Sequence, residues 1–343
     1  MPKQKIRNMD AFSAVCGVSR PTLSKFFNDP DSVKRSTRAK IEQALAKYDY
    51  RPNIYAVNQN RQITRNIGIM VPNLADPFFS EIGREVELAC HDAGYSPIVL
   101  SSHGRPALEA RNLNLLRSLK PAGVLLAPFG RISDVNMVEK FAKDIPVVFF
   151  DANIDGIGEA FVGTDNDQSM DLMVEYLCRS GQPPCLFEMK SPLNPNANKR
   201  RHAYLESMQR HGFPAHIHQA SGEGWDFEAI GSAEGGRMLS ENAFPTNTVL
   251  CSNDRLAIGM LSAAYSLGLR VGHGSNCKLR IAGHDDHPYS RFTCPSLTTI
   301  AQDYKEIATR AAQTLFAMIE SPESGAERGK TLLDGKLIMR NSA

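Results

Sequence analysis

From Ile67 onward the chain alternates short apolar runs with longer amphipathic stretches, and that alternation leaves few folds open to it. Apolar runs at 67–71, 96–101, 123–127 and 147–150 are separated by helical periodicity over 78–93, 107–119 and about 133–143. A second series has runs at 185–187, about 215–218, 248–251 and 278–282, with helical stretches at 168–180, 199–211, 227–240 and 254–267. Strands buried on both faces read as continuous apolar runs, and regular strand–helix alternation implies parallel sheets covered by helices. Two such series predict an α/β body of two doubly wound lobes. Ligands of such sheets bind beyond the carboxyl ends of the strands, so a two-lobed body places its site in the cleft.

The residues that follow those runs have the chemistry of a polar-ligand site. Asp76-Pro77-Phe78-Phe79 follows the first run, Asp151 the fourth, and Asn253-Asp254 the run at 248–251. His284-Asp285-Asp286-His287 follows the last, and Trp225, the single tryptophan, precedes a helical stretch. Carboxylates and amides bond hydroxyls through paired groups, and aromatic rings stack on the apolar faces of a sugar. Each position also has a plainer reading. Asp76 or Asn253 can cap the next helix, and Phe78 and Phe79 can be core. The four potential metal ligands at 284–287 are adjacent on one loop, and adjacent residues seldom all face one ion. No G-x-S-x-G or P-loop supports hydrolysis or phosphate transfer. Seven scattered cysteines without a C-x-x-C pair read as buried thiols.

The first 65 residues differ in kind: they hold 13 Lys+Arg against 5 Asp+Glu, whereas the remaining 278 hold 26 against 32. A basic head on an acidic body points to a polyanion as the head's partner. Three short helices are legible in it. The first begins after Asn8, a potential N-cap, and carries Met9, Phe12, Val15 and Cys16 at helical spacing. After a turn through Gly17, Ser19 can cap a second helix with Pro21 in its first turn. Leu23, Phe26 and Phe27 form its apolar stripe, while Arg20, Thr22, Ser24 and Lys25 keep to the other faces. Ser36 is expected to cap a third helix, whose Ile41, Ala44, Leu45 and Tyr48 share one face. Helix, glycine turn, helix and supporting helix is the helix-turn-helix layout, with the second helix as reader.

Here a resemblance becomes specific. The run from Gly17-Val18-Ser19 through Thr22, Leu23, Ser24 and Asn28, then Ser36-Thr37-Arg38 and Tyr50-Arg51-Pro52-Asn53, resembles the head of the LacI/GalR repressor family. The resemblance spans essentially the whole chain. It implies an all-α helix-turn-helix head at 1–50, a hinge at 51–65 and a periplasmic-binding-protein-like body at 66–343. One lobe would take about 66–164 and 296–321, the other about 165–295 and 322–343. By the same resemblance Arg20 and Pro21 occupy two base-reading positions, with Ser19, Thr22, Ser24, Lys25 and Asn28 as further DNA contacts. Arginine can bond guanine bidentately and proline offers only van der Waals contact, so Arg20 is the expected main reader. Asn53 and Tyr55 extend the DNA contacts, and Gln59 falls where the family wedges a leucine into the minor groove. A glutamine there predicts weaker kinking, or insertion by Val57 or Tyr55 instead. In the body the resemblance assigns effector contacts to Asp76, Phe78, Phe79, Asp151, Arg200, Trp225, Asn253, Asp285 and Gln302. His284 stands in place of the usual aromatic and Ala203 in place of the usual glycine.

The expected function is a ligand-responsive transcriptional regulator, a repressor of carbohydrate or polyol genes, without cofactor or catalysis. It would bind a palindromic operator as a homodimer and take a sugar, polyol or sugar acid in its cleft. A periplasmic-type solute-binding protein would share the body and is the alternative. Against it, Met1-Pro2-Lys3-Gln4-Lys5 lacks the apolar core of a signal peptide, and no run reaches the ~18 apolar residues of a membrane span. A cytoplasmic location is therefore expected. The segment 337–343 carries no leucine heptads, which favours a dimer over a tetramer.

Overall fold

The computed structural model describes residues 3–51, 64–158, 160–321 and 329–343. Residues up to Thr64 form one compact unit and Arg65–Ala343 a second.

In the first unit the helices are α1 (Met9–Cys16), α2 (Arg20–Asn28) and α3 (Arg35–Lys47). Asn8 caps α1, its Oδ1 accepting the Ala11 N–H at 2.8 Å. Gly17 ends that helix with φ 63°, a left-handed conformation that costs a residue without Cβ nothing. Ser19 holds the N-cap position of α2, but its hydroxyl pairs with that of Thr22 at 2.9 Å rather than with a backbone N–H. The expected cap at Ser36 is corrected to Lys34, and Ser36 lies inside the first turn of α3. The Lys34 carbonyl already accepts the N–H groups of Thr37 and Arg38, so the helix starts there without a side-chain cap. Phe12, Val18, Leu23, Phe26, Ile41, Ala44 and Tyr50 bury as one core. The Phe12 and Tyr50 rings stack at 4.2 Å. Val15, expected inside, is 45% exposed, because so short a helix buries only the stripe at Phe12. Tyr48 begins a strand rather than ending α3: β1 (Gln4–Lys5) pairs in parallel with β2 (Tyr48–Asp49).

The body continues with strands β3 (Asn66–Val71), β4 (Ser96–Ser101), β5 (Gly123–Leu126), β6 (Val147–Phe150), β7 (Ala160–Thr164), β8 (Cys185–Met189) and β9 (Ile217–Ala220). After these come β10 (Thr248–Cys251), β11 (Arg280–Ala282), β12 (Thr299–Ala301), β13 (Lys330–Leu333) and β14 (Lys336–Ile338). Its helices are α4 (Pro77–Asp92), α5 (Pro106–Leu119), α6 (Val135–Asp144), α7 (Asn166–Ser180), α8 (Pro195–Arg210), α9 (Phe227–Ser240), α10 (Asp254–Ser266) and α11 (Tyr304–Glu320). The first lobe is a sheet in the order β13-β7-β6-β5-β3-β4, and the second a sheet in the order β11-β10-β8-β9, parallel throughout. Neighbours along a strand point to opposite faces. Thus Ile69 packs with Phe79 and Ile307, while Met70 packs with Leu116 and Phe141. The second lobe repeats this, with Val249 against Leu256 and Met260, and Leu250 against Met173 and Tyr204.

Several features correct the sequence expectations. The strand expected at 215–218 is Ile217–Ala220, and the helix expected from 199 begins at Pro195 because Asn194 caps it. β7, α11 and β12 had no expected counterparts. The resemblance places about 322–343 in the second lobe, yet Lys330–Leu333 pairs with Phe161–Thr164 and completes the first lobe's sheet. An edge left open by β7 captures a segment whose own sequence does not name its partner. Among the described residues the chain therefore crosses between lobes three times, near 164–166, 301–304 and 333–336. β12 and β14 pair antiparallel beside these crossings, and Gln168 holds Gly335 by accepting its N–H at 2.8 Å and donating to its carbonyl at 3.2 Å. Among the described residues no helix is long and apolar enough to cross a membrane.

Candidate functional site

The cleft between the lobes encloses about 560 Å³ of empty space, its mouth included, and all nine residues expected to contact an effector line it. The first lobe contributes Asp76, Phe78 and Phe79 from the start of α4, and Asp151 from the end of β6. The second contributes Arg200 from α8, Trp225 ahead of α9, Asn253 after β10 and Asp285 after β11, with Gln302 at a crossing.

Local chemistry fixes each of them. Asp76 caps α4 by accepting the Phe78 N–H at 3.1 Å, with Pro77 as the first helical residue. That turns Phe79 into the core at 1% exposure and leaves Phe78 half-buried, ring edge against ring at 5.2 Å. Asn253 caps α10, its Oδ1 accepting the Leu256 N–H at 2.8 Å, which leaves its NH₂ to serve another partner. The plainer readings of these residues hold, and the same side chains still line the cleft. Arg200 donates from Nε to Asn166 at 3.1 Å, from Nη1 to the Ser252 carbonyl at 2.8 Å and from Nη2 to Asp285 at 2.8 Å. The same Asp285 oxygen accepts Gln302 Nε2 at 2.7 Å, and Gln302 Oε1 accepts the Thr164 hydroxyl at 2.6 Å. Behind them Asp254 accepts the Ser290 and Thr299 hydroxyls, each at 2.6 Å, and the His287 N–H at 2.8 Å. Gly283 is required beside it, since a Cβ there would lie 2.1 Å from Asp254 Oδ1. Asp151, Asp285 and Asp286 all have positive φ, at 60°, 121° and 50°. Strained non-glycine backbone of this kind concentrates at ligand sites.

The carboxyl groups titrate differently because their partners differ. Burial alone would raise Asp285, but the Arg200 guanidinium, with His284 and Gln302, holds it below the usual carboxylate range. Burial pushes Asp76 up to about 6 against the pull of Arg255. It pushes Asp151 up to about 7, against Arg200 and reinforced by the charge of Asp285. Burial and Arg200 bring His284 down to about 4, so its imidazole is neutral at pH 7.

The sequence pointed to neither Arg255 nor Glu228. Arg255, in the first turn of α10, donates from Nε and Nη2 to the two oxygens of Glu228, at 2.7 and 2.6 Å. Its Nη1 reaches across the cleft to Asp76 at 3.2 Å, and its guanidinium lies over Phe227 at 5.1 Å. Burial disfavours the Glu228 charge, but Arg255 more than offsets this and keeps the carboxyl below its usual range. A cation in a first helical turn opposes the helix dipole, and that misfit is the signal that could have singled Arg255 out. Asn196 also joins the lobes, donating to Asp151 Oδ1 at 2.8 Å and to its carbonyl at 3.0 Å. Trp225 meets Phe79 edge-on at 6.0 Å, and a Cβ on Gly104 would lie 2.5 Å from its ring. Among the described residues no three His, Cys, Asp or Glu side chains are grouped to hold a metal ion.

In the head, Ser19 at the N-cap position and Arg20, Pro21 and Lys25 of α2 are exposed, and Thr22 and Ser24 are half-buried. Arg20 pairs with Asp10 of α1 at 3.1 Å, both side chains open to solvent. Asn53, Tyr55, Val57, Gln59 and the side chain of Asn28 lie outside the described residues.

Two family models match the chain: bacterial regulatory proteins of the lacI family at residues 14–53, and a periplasmic binding protein-like domain at 176–343. The HTH-type transcriptional repressor CytR of Escherichia coli K12 is 28% identical over 95% of this chain and 93% of its own length. The ribose operon repressor of the same strain is 28% identical over 93% of this chain and 95% of its own. A solved structure of the lac repressor dimer bound to operator shares the fold with a TM-score of 0.82 at 23% identity, over 96% of this chain and 97% of that one. The head thus matches the lacI family of bacterial regulatory proteins, and the whole chain is similar to transcriptional repressors.

Proposed function

We propose that this protein is a transcriptional repressor whose head binds operator DNA and whose cleft takes a small polar effector, a sugar, polyol or sugar acid. The correspondence with repressors along both units carries this: CytR and the ribose operon repressor align over 93% or more of the chain, head included. A solute-binding protein would account for the body and leave the helix-turn-helix unexplained. The lac repressor of the same fold is described as a dimer on operator. A two-fold dimer of this chain would likewise suit a palindromic site. Acting on DNA, it would work in the cytoplasm, with no catalytic turnover and no cofactor.

The effector would join Asp76 and Asp151 of one lobe to Arg200, Trp225, Asn253 and Asp285 of the other, with Phe78 and Phe79 against its apolar face. Gln302 supports this coupling, because it bonds both Asp285 in the cleft and Thr164 at a crossing. An effector that binds one lobe arrangement more tightly shifts the population toward it, and the difference in affinity sets the response. Arg20 and Pro21 would read bases, Ser19, Thr22, Ser24, Lys25 and Asn28 would complete the contact, and Asn53, Tyr55 and Gln59 would extend it. The test is a titration of the full-length protein on fragments of its own upstream DNA at several salt concentrations. Affinity should fall steeply as salt rises. A salt-independent interaction, or none, sinks the proposal.

A further inference from the structure

Among the described residues two guanidinium groups line the cleft, and every nitrogen of both already donates to the protein. Arg200 serves Asn166, the Ser252 carbonyl and Asp285. Arg255 gives its Nε and Nη2 to Glu228 and its Nη1 to Asp76. Around these two cations stand four carboxylates, Asp76, Asp151, Asp285 and Glu228, and Asp151 is bonded by the neutral amide of Asn196. Lys199, the next cation, turns to Asn153 at 3.1 Å and to the ring of Phe161. The site thus has carboxylate lone pairs to offer and both its guanidinium groups engaged.

We propose that the cleft selects an uncharged, hydroxyl-rich ligand over the carboxylate analogue of the same skeleton, and that Glu228 is the positioning residue that sets this choice. The selectivity presupposes that the cleft is the effector site. A guanidinium recognises a carboxylate with two parallel N–H bonds, and in Arg255 that fork is already filled by Glu228. An incoming carboxylate must displace Glu228 or sit among like charges at short range. Hydroxyls meet no such obstacle, because they donate to the same carboxylates. Glu228 lies in the first turn of α9, outside the lining itself, and acts through Arg255.

The emission of Trp225, the single tryptophan, provides the readout in the full-length protein. The probes are matched pairs: D-ribose with D-ribonate, D-galactose with D-galacturonate, and D-glucitol with D-gluconate. For any pair that binds, the acid should require at least about tenfold higher concentration than its neutral partner. Glu228→Gln keeps the size and breaks the fork, and should narrow that ratio at least about threefold by tightening the acid. A purely structural role would weaken both members alike. At pH 8, where the Asp151 carboxyl is ionised, Asp151→Asn, which can still accept from Asn196, should narrow the ratio as well. An acid that matches its neutral partner in the unmodified protein, or a ratio unmoved by Glu228→Gln, overturns this selectivity and leaves the effector site standing. If no member of any pair alters the emission while operator binding persists, the effector site itself is refuted and the selectivity with it.

Discussion

Asp151 shows at the scale of one residue how the cleft stores free energy. Its carboxyl is pushed up to about 7 by burial, so the folded protein holds its proton where the unfolded chain has released it. Stability therefore falls as pH rises from the ordinary carboxylate value toward 7, the opposite of a salt-bridged aspartate. Asp151→Asn should raise the melting free energy by roughly 1–3 kcal/mol more at pH 8 than at pH 5. An equal gain at both pH values would show that Asp151 titrates normally. Arg20 is the other residue with a decisive test. Its pair with Asp10 is exposed on both sides, the kind of contact that contributes little and is readily exchanged for a base. Arg20→Ala should relax preference at one base pair per half-site by ~1–3 kcal/mol, whereas Lys25→Ala, if Lys25 contacts a phosphate, should weaken every sequence alike. Uniform losses from both variants across an operator library would remove Arg20 as the reader.

At the scale of elements, legibility followed locality. The runs that became β3, β4, β5 and β6 are continuous and apolar, and each was read within a residue of its observed bounds. Asn8 and Gly17 announced the ends of α1 because a cap and a left-handed turn are local events. β13 was not legible in the same way. Its burial alternates between exposed and half-buried, and its partner β7 lies far back in the chain. The short link from β13 to β14 is tight enough to test. A Cβ on Gly335 would lie 2.4 Å from Ser169 Oγ and 2.7 Å from an Ile300 methyl carbon. Gly335→Ala should cost about 1–3 kcal/mol and lower the melting temperature of the body. An unchanged melting curve would mean the crossing can relax at no cost.

Across the whole molecule, the body joins its lobes by side chains as well as by its three crossings. Arg255 to Asp76, Asn196 to Asp151 and Trp225 against Phe79 are contacts of one lobe with the other. Gly104 is the point where this closure has no slack, and Gly104→Ala should shift Trp225 emission to longer wavelength and weaken effector binding about tenfold. An unaltered spectrum would place the ring elsewhere in solution. The sequence by itself determined the strand–helix alternation, the basic head with its glycine turn, and the residue types that follow each strand. These are written in caps, turns and periodicity, which act over a few positions. Only the tertiary structure decided which carboxylate meets which cation. Arg255 finds Glu228 at a separation of 27 residues and Asp76 at a separation of 179. Such pairs are set by where the two sheets bring their strand ends, and no local pattern encodes that distance.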